Sequence, residues 1–430
     1  MLIKLKRDLL SVLLLFKFFR SLFENKYADC LNTVSKIDFL ESNISSLVAN
    51  LAMGFLRNKY AVSDCNKSDT FINSVYERFS AEGQKNFLMS NIIVIKPYIS
   101  EKEKGVILLN YSEVINAFPF LFDLDKIQQR YHLVLEPSWA SAYQMYYKFY
   151  SNKSMVFVQS LNEAEIAMDK KHGYFDVPLC AGDWVNENNF TRLEDEDKIY
   201  DFCVIANFIP FKRYPYLLSA LKNHWTGNLK FAIIASAHVG ENRAWIENQL
   251  RINNIEGKAD LFMEIPQKQV GKILNQSKCH VLCSLREGAN RANFESMLIG
   301  IPVVVHKHHM GFPNFRFGKP MVVNYTNQEE LVAAIKETAK IDSRVVYEFA
   351  RKTTGSYVAT NKLNECIKDA SVANGDIWTK DLLRKINIIQ SGYFDPNDVH
   401  FCEKDYLFIE DVVIDKKYYD PKYVMNRFGN

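Results

Sequence analysis

The run Ser284-Leu-Arg-Glu-Gly-Ala-Asn-Arg-Ala-Asn-Phe-Glu-Ser-Met-Leu-Ile-Gly-Ile-Pro-Val-Val-Val305 constrains the fold most. An apolar strand, His280 to Ser284, leads into a loop; a helix then starts near Asn290, and a second apolar strand, Ile301 to Val305, follows it. Strand, helix and strand in this order imply a parallel sheet with its helices packed on the faces. Glu287 sits at the exit of the first strand, and Gly288 lets the backbone approach a ligand. The first N–H groups of the helix have no partner within it, so they point at whatever sits against the loop. Glu295, eight positions beyond Glu287, lies well inside the helix, beyond reach of a phosphate but placed to accept hydrogen bonds from hydroxyls. Two carboxylates, a loop glycine and a helix N-terminus suit a sugar nucleotide, phosphates on the N–H groups and hydroxyls on the acids.

Strands and helices alternate over much of the chain. At 430 residues there is room for two or three domains, each with its own core. Residues 1–85 read as mostly helical. Asn91 to Pro97, Gly105 to Asn110, His132 to Glu136 and Met155 to Ser160 are apolar strands of a first α/β domain, over 86–180. Val177 to Phe190, continued by the charged run Glu194 to Lys198, reads as a connection. A second α/β domain spans 201–345, with strands at Lys230 to Ala235 and Ala259 to Met263 and helices at Asn242 to Ile252 and Gln267 to Asn275. Residues 346–430 hold helices at Glu348 to Lys352, Lys362 to Ala370 and Thr379 to Ile389, then a polar tail.

A net charge of +3 makes no case for nucleic acid. The eight cysteines form no CxxC pair or disulfide-dense module, which favours a reducing cytoplasm. The first 23 residues, MLIKLKRDLLSVLLLFKFFRSLF, are too short and too charged for a spanning helix of about 20 apolar residues, and no small-residue cleavage site follows them. Two readings stand for this segment. It is a packing helix of the protein, or a basic, apolar helix in peripheral contact with the inner face of a membrane.

The Ser284–Val305 run resembles the Glu-x7-Glu element of the retaining glycosyltransferases of family 4. Upstream, Phe202-Cys-Val-Ile-Ala-Asn-Phe-Ile-Pro-Phe-Lys-Arg-Tyr-Pro-Tyr-Leu-Leu-Ser-Ala-Leu221 resembles the strand, loop and helix that open that family's C-terminal domain. The resemblance is strongest over residues 176–340. It implies the GT-B fold, α/β with two Rossmann-like domains facing a cleft, here with additional N- and C-terminal helices, the last of which cross back to the first domain. It implies a metal-independent enzyme moving a hexose-like sugar from a nucleotide sugar to a glycan or lipid-linked saccharide, as in surface polysaccharide or glycolipid assembly. Neither a bound cofactor nor a metal is expected.

By the same resemblance Lys212 neutralises the leaving diphosphate and Glu287 holds hydroxyls of the donor sugar; these two are the catalytic candidates. Glu295 contacts the ribose, and Gly288, Ala289 and Asn290 offer backbone N–H groups. Arg291, a cation misplaced at a helix start unless an anion binds there, is a phosphate candidate. The family has an arginine where this chain has Asn207, and Arg213 or Arg291 would compensate. Each has a plainer reading: a solvated lysine, or helix carboxylates paired with a neighbouring cation. Acceptor-side candidates lie at strand C-terminal ends: Asn110, Tyr111, Glu136, Ser138, Trp139 and Ser160. The Asp123-Leu-Asp125 mimic of a metal-binding Asp-x-Asp and the cluster His306, His308, His309 are not read as metal sites. The histidines serve as donor-side contacts or as plain loop residues. The family's Gly-rich loop after the first strand is missing from Ile95 to Lys104. That absence, with Asn207, motivates the alternative of a non-catalytic GT-B-like protein that binds glycan or partners.

Overall fold

A computed structural model describes residues 2–38, 40, 43–56, 70–139, 150, 154–194, 196–236, 241–313, 316–387 and 392–414. The chain divides into two units. One comprises Met1–Val177, Asn364–Leu383 and Ile388–Asn430, the other Pro178–Leu363 and Arg384–Asn387. The α/β class expected from the alternation is the one observed.

The first unit carries a five-stranded sheet in the order β1 (Ile92–Lys96), β2 (Gly105–Asn110), β3 (Tyr131–Glu136), β4 (Val156–Gln159), β5 (Phe175–Val177). Strands β1 to β4 are buried along their whole length, as strands covered on both faces must be. The three pairings from β2 to β5 are parallel. β1 departs from the parallel expectation and pairs antiparallel with β2. Residues 97–104 between them are too few for the crossover of a dozen or more that a parallel pair needs. The free edge of β1 is then covered by the end of the chain. Tyr393 Oη donates to the Val94 carbonyl at 2.6 Å, the Val94 N–H donates to Tyr406 Oη at 3.2 Å, and the Leu383 N–H donates to the Ile95 carbonyl at 2.7 Å. Such cover removes an unpaired strand edge.

Residues 379–387 are not helical, against the sequence reading of a helix from Thr379 to Ile389; residues 388 and 389 lie outside the described residues. The N–H groups that would close helical turns are claimed from outside. Those of Thr379 and Lys380 go to Glu103, Leu382 to Asn364 and Asn387 to the Trp184 carbonyl. Tertiary partners meet the backbone demand that local turns would otherwise meet.

The helix Leu2–Phe23 packs against helices Tyr27–Asp38 and Asn43–Leu56. Ser11, Phe18 and Ser21 of the first are buried, while Leu5, Leu9, Leu13, Phe16 and Phe23 are exposed. No helix among the described residues is long and apolar enough to cross a membrane.

The second unit holds a six-stranded, wholly parallel sheet. Its strands are β6 (Phe202–Ile205), β7 (Phe231–Ala235), β8 (Ala259–Met263), β9 (His280–Leu282), β10 (Val303–His306) and β11 (Val322–Tyr325), in the order β11-β10-β9-β6-β7-β8. Counted from β6, this is the doubly wound order 3-2-1-4-5-6. The chain leaves β6 toward one edge and β9 toward the other. A crevice therefore opens where their C-terminal ends lie side by side, and in open α/β sheets this is where ligands bind.

Candidate active site

The loops leaving β6 and β9 carry the residues in question. After β6, Pro210–Lys212 forms a single 3-10 turn and Arg213 takes the left-handed conformation, φ 56°, which starts helix Tyr214–His224. This geometry returns Lys212 over the sheet end, and its ammonium donates to Glu287 Oε2. The pair is 75 residues apart in sequence. Glu287 also accepts from Ser284 Oγ, and from Asn290 Nδ2 at 3.1 Å. Burial alone would raise the Glu287 carboxyl; His309 close by and the charge of Lys212 outweigh it and hold the group at about 2. These neighbours favour the charged form of Glu287.

The loop after β10 holds this carboxylate in place. The Glu287 N–H donates to the Met310 carbonyl at 3.0 Å and the Met310 N–H to the Leu285 carbonyl at 2.8 Å. Gly311 follows with φ 113°, and a Cβ there would overlap the Glu287 carbonyl, so the position demands glycine. His309 is buried, with Nε2 3.2 Å from Ser284 Oγ and 3.9 Å from Glu287 Oε1. Its Nδ1 accepts the Phe312 N–H at 3.1 Å. In the neutral ring the proton therefore sits on Nε2 and points at Ser284. Ser284 Oγ, accepting from His309, is left to donate to Glu287. The relay fixes the carboxylate's orientation. Sequence reading placed His309 among loop contacts and did not connect it to Ser284, because only β10 and its loop bring the two together.

Helix Arg291–Ile299 begins where the sequence placed it. Asn290 is its N-cap: Oδ1 accepts from the Ala292 N–H at 3.0 Å while Nδ2 holds Glu287. The Ala292 N–H of the first turn is thus already used by the cap, which does not engage those of Gly288, Ala289, Asn290 and Arg291. Arg291 is exposed at the first helical position. Glu295, one turn on, makes no hydrogen bond or ion pair among the described residues. Burial raises it to about 7, with Arg291 pulling the other way. On the strand beneath, His280 Nε2 accepts the Ile205 N–H at 3.3 Å, so its Nδ1–H donates to Asn293 Oδ1 at 2.9 Å. That bond ties β6, β9 and the helix together, and burial lowers His280 to about 4.

Asn207 Oδ1 accepts the Ser236 N–H at 3.2 Å and so bridges the ends of β6 and β7. Arg213 donates to the Cys283 carbonyl at 3.1 Å and lies 4.1 Å from the Tyr216 ring centre. The second unit therefore brings Lys212, Glu287, Gly288, Ala289, Asn290 and Arg291 to one crevice, with Arg213 turned to the strand end and Asn207 used by the scaffold.

In the first unit Asn110 and Glu136 are register partners at the C-terminal ends of β2 and β3. Ser138 Oγ accepts the Ser112 N–H at 3.2 Å, which commits that hydroxyl to the start of helix Ser112–Leu121. Ser160 is buried and donates to Asp169. Trp139 is half-buried and Tyr111 exposed. Asp123 caps helix Leu124–Arg130 by accepting from the Lys126 N–H. Among the described residues no cluster of His, Cys, Asp and Glu is close enough to hold a metal ion.

Residues 185–351 match the family model described as glycosyl transferases group 1. No curated protein sequence matches the chain. Similar solved structures include the pneumococcal O-GlcNAc transferase GtfA in complex with UDP and GlcNAc, 13% identical over 68% of this chain and 60% of that one, with a TM-score of 0.45. Anabaena Alr3699/HepE in complex with UDP is 13% identical over 63% and 79%, TM-score 0.47. The sucrose-phosphate synthase (tll1590) of Thermosynechococcus elongatus is 14% identical over 62% and 74%, TM-score 0.45. The chain thus spans less than two thirds of the length of GtfA. The matched segment contains β6 to β11, Lys212 and both carboxylates.

Proposed function

We propose that the chain is a retaining glycosyltransferase of family 4 and GT-B type, moving a hexose-like sugar from a nucleotide sugar to a glycan or lipid-linked acceptor without a metal. The observation that carries this reading is the meeting of Lys212 and Glu287 at the switch point of the second sheet. Sugar hydroxyls donate to the Glu287 carboxylate, which is ionised and oriented in advance. Lys212, released from Glu287 as the donor enters, turns to the diphosphate, and its charge with that of Arg291 and the N–H groups of Gly288, Ala289 and Asn290 stabilises the departing anion, the electrostatic term that dominates such reactions. Glu295 takes the ribose. Asn110, Glu136 and Trp139, at and just beyond the ends of β2 and β3, are the acceptor contacts of this reading. Peripheral contact with the inner face of a membrane belongs to the same reading.

A thermal-shift panel of nucleoside diphosphates and sugar nucleotides, without metal, tests it on wild type and Glu295→Ala. One base should stabilise the wild type, by about 2.7 kcal/mol at a hundredfold excess over Kd, and the substitution should abolish the shift. A second reading, a non-catalytic sugar-nucleotide or glycan binder, is favoured by one observation: Asn207 supplies no cation, and the lone lysine is already paired. Slow hydrolysis of the bound donor, lost in Lys212→Met, supports the enzyme; binding with no hydrolysis and no transfer to any saccharide supports the binder.

A further inference from the structure

In the second unit the sheet edge formed by β8 lies open. The strand keeps unbroken parallel register with β7, from Ala259 beside Phe231 to Met263 beside Ala235. At its two ends the Phe231 N–H donates to the Lys258 carbonyl and the Glu264 N–H to the Ala235 carbonyl, each at 3.0 Å. Backbone groups alternate in direction along a strand. Residues 258, 260, 262 and 264 therefore face β7, and the N–H and C=O groups of Ala259, Leu261 and Met263 face away from it. Those outward groups have no hydrogen-bond partner among the described residues. Every residue of β8 is partly exposed, whereas each other strand of the sheet buries all but at most one. Free edges are commonly blunted by a proline, a bulge or a covering segment, as the chain end covers β1; among the described residues β8 has none of these. Asp260, its one charge, is held by Tyr200 Oη at 2.8 Å and Lys230 Nζ at 3.3 Å. A recess of about 530 Å³ between the strand and helix Arg243–Ile252 leaves room for a second set of side chains.

The order of side chains selects the occupant. A second copy turned about a two-fold axis through Leu261 brings the two β8 strands together antiparallel. Leu261 then meets its own counterpart as a hydrogen-bonded pair, Ala259 meets Met263, and all the outward N–H and C=O groups find partners. On the other face Asp260 meets Phe262, so no like charges are opposed. Lys258 and Glu264, exposed just beyond the two ends of the strand, bring opposite charges together at both ends of the pairing. Parallel pairing would instead set Asp260 beside Asp260 and Lys258 beside Lys258.

We propose that β8 is the interface of a two-fold dimer, in which the second-unit sheets of two copies join edge to edge into one continuous sheet. The inference goes beyond sugar transfer and requires no ligand. Sedimentation equilibrium of the full chain from about 1 μM to about 100 μM tests it. Wild type is expected to reach twice the mass of the chain within this range. Leu261→Pro removes the central outward N–H but no bond to β7, a place where an edge strand tolerates proline; it should weaken the dimer by about a hundredfold. Lys258→Glu or Glu264→Lys alone sets like charges together at both ends and should weaken it about tenfold, while the two together should restore it. This exchange of charges decides the question even if proline disturbs the strand, and far-ultraviolet circular dichroism of the charge variants should match wild type. On concentration the amides of Ala259, Leu261 and Met263 should gain protection from hydrogen exchange. A monomer across the whole range overturns the proposal. So does a dimer that leaves those amides unprotected, or one indifferent to the charge reversals.

Discussion

Glu295 and His280 titrate in opposite senses over the same range. The Glu295 carboxyl, raised to about 7 from an unfolded value near 4.5, binds its proton more tightly in the folded state. Its contribution is therefore favourable below about 4.5 and is lost as pH rises to 7. His280, lowered to about 4 from about 6.5, contributes stability above 6.5 that is lost as pH falls to 4. The two slopes offset between about 4.5 and 6.5. Glu295→Gln should remove one of them: denaturant unfolding should then show stability rising with pH across this window, and a gain of about 1–3 kcal/mol over wild type at pH 8. His309 offers a sharper test of the relay to Glu287. Gln carries a donor near the position of Nε2 and Leu carries none, so His309→Leu should raise KM for a sugar nucleotide by about tenfold or more and His309→Gln should recover most of it. Affinity for the nucleoside diphosphate, which lacks the sugar, should stay within about twofold in both. The ion pair itself is testable by a cycle. Glu287→Gln or Lys212→Met alone leaves a buried partner uncompensated and should cost about 3–5 kcal/mol, and the double substitution less than their sum.

At the scale of elements, the loop after β10 does what the local sequence around Glu287 cannot. Gly311→Ala forces a side chain into a region glycine alone tolerates and against the Glu287 carbonyl. A loss of about 2–3 kcal/mol is expected, with donor binding lost together with stability. Helix Arg291–Ile299 was legible as the segment between two apolar strands, starting near Asn290. So were the strands on either side, because buried parallel strands are continuous apolar runs. The antiparallel β1 and the extended path of residues 379–387 were not. Both depend on partners far along the chain, Tyr393 and Tyr406 for β1 and Glu103, Asn364 and Trp184 for the later segment. Leu382 and Ile386 are buried there without forming a helix.

For the whole molecule, the division into two units predicts where a nucleotide is felt. Hydrogen exchange with bound nucleotide should slow around residues 206–213, 284–292 and 307–312, and leave helix Leu2–Phe23 unchanged; vesicles should do the reverse. Sequence alone determined the α/β class, the position of the helix behind Glu287 and the choice of Lys212, Glu287 and Glu295 as candidates. The first two follow from local rules, namely apolar runs and their spacing; the roles of Lys212, Glu287 and Glu295 came from the resemblance to a known family. Tertiary structure alone decided that Lys212 and Glu287 meet, that Asn207 is a scaffold residue, and that His309 reaches Glu287 through Ser284. It also decided which side of the first helix faces outward. The contacts of Lys212, Asn207 and His309 depend on strand order, because a doubly wound sheet places β6 beside both β7 and β9, and β10 beside β9. No spacing along a chain encodes which strands become neighbours; the packing of the whole sheet does.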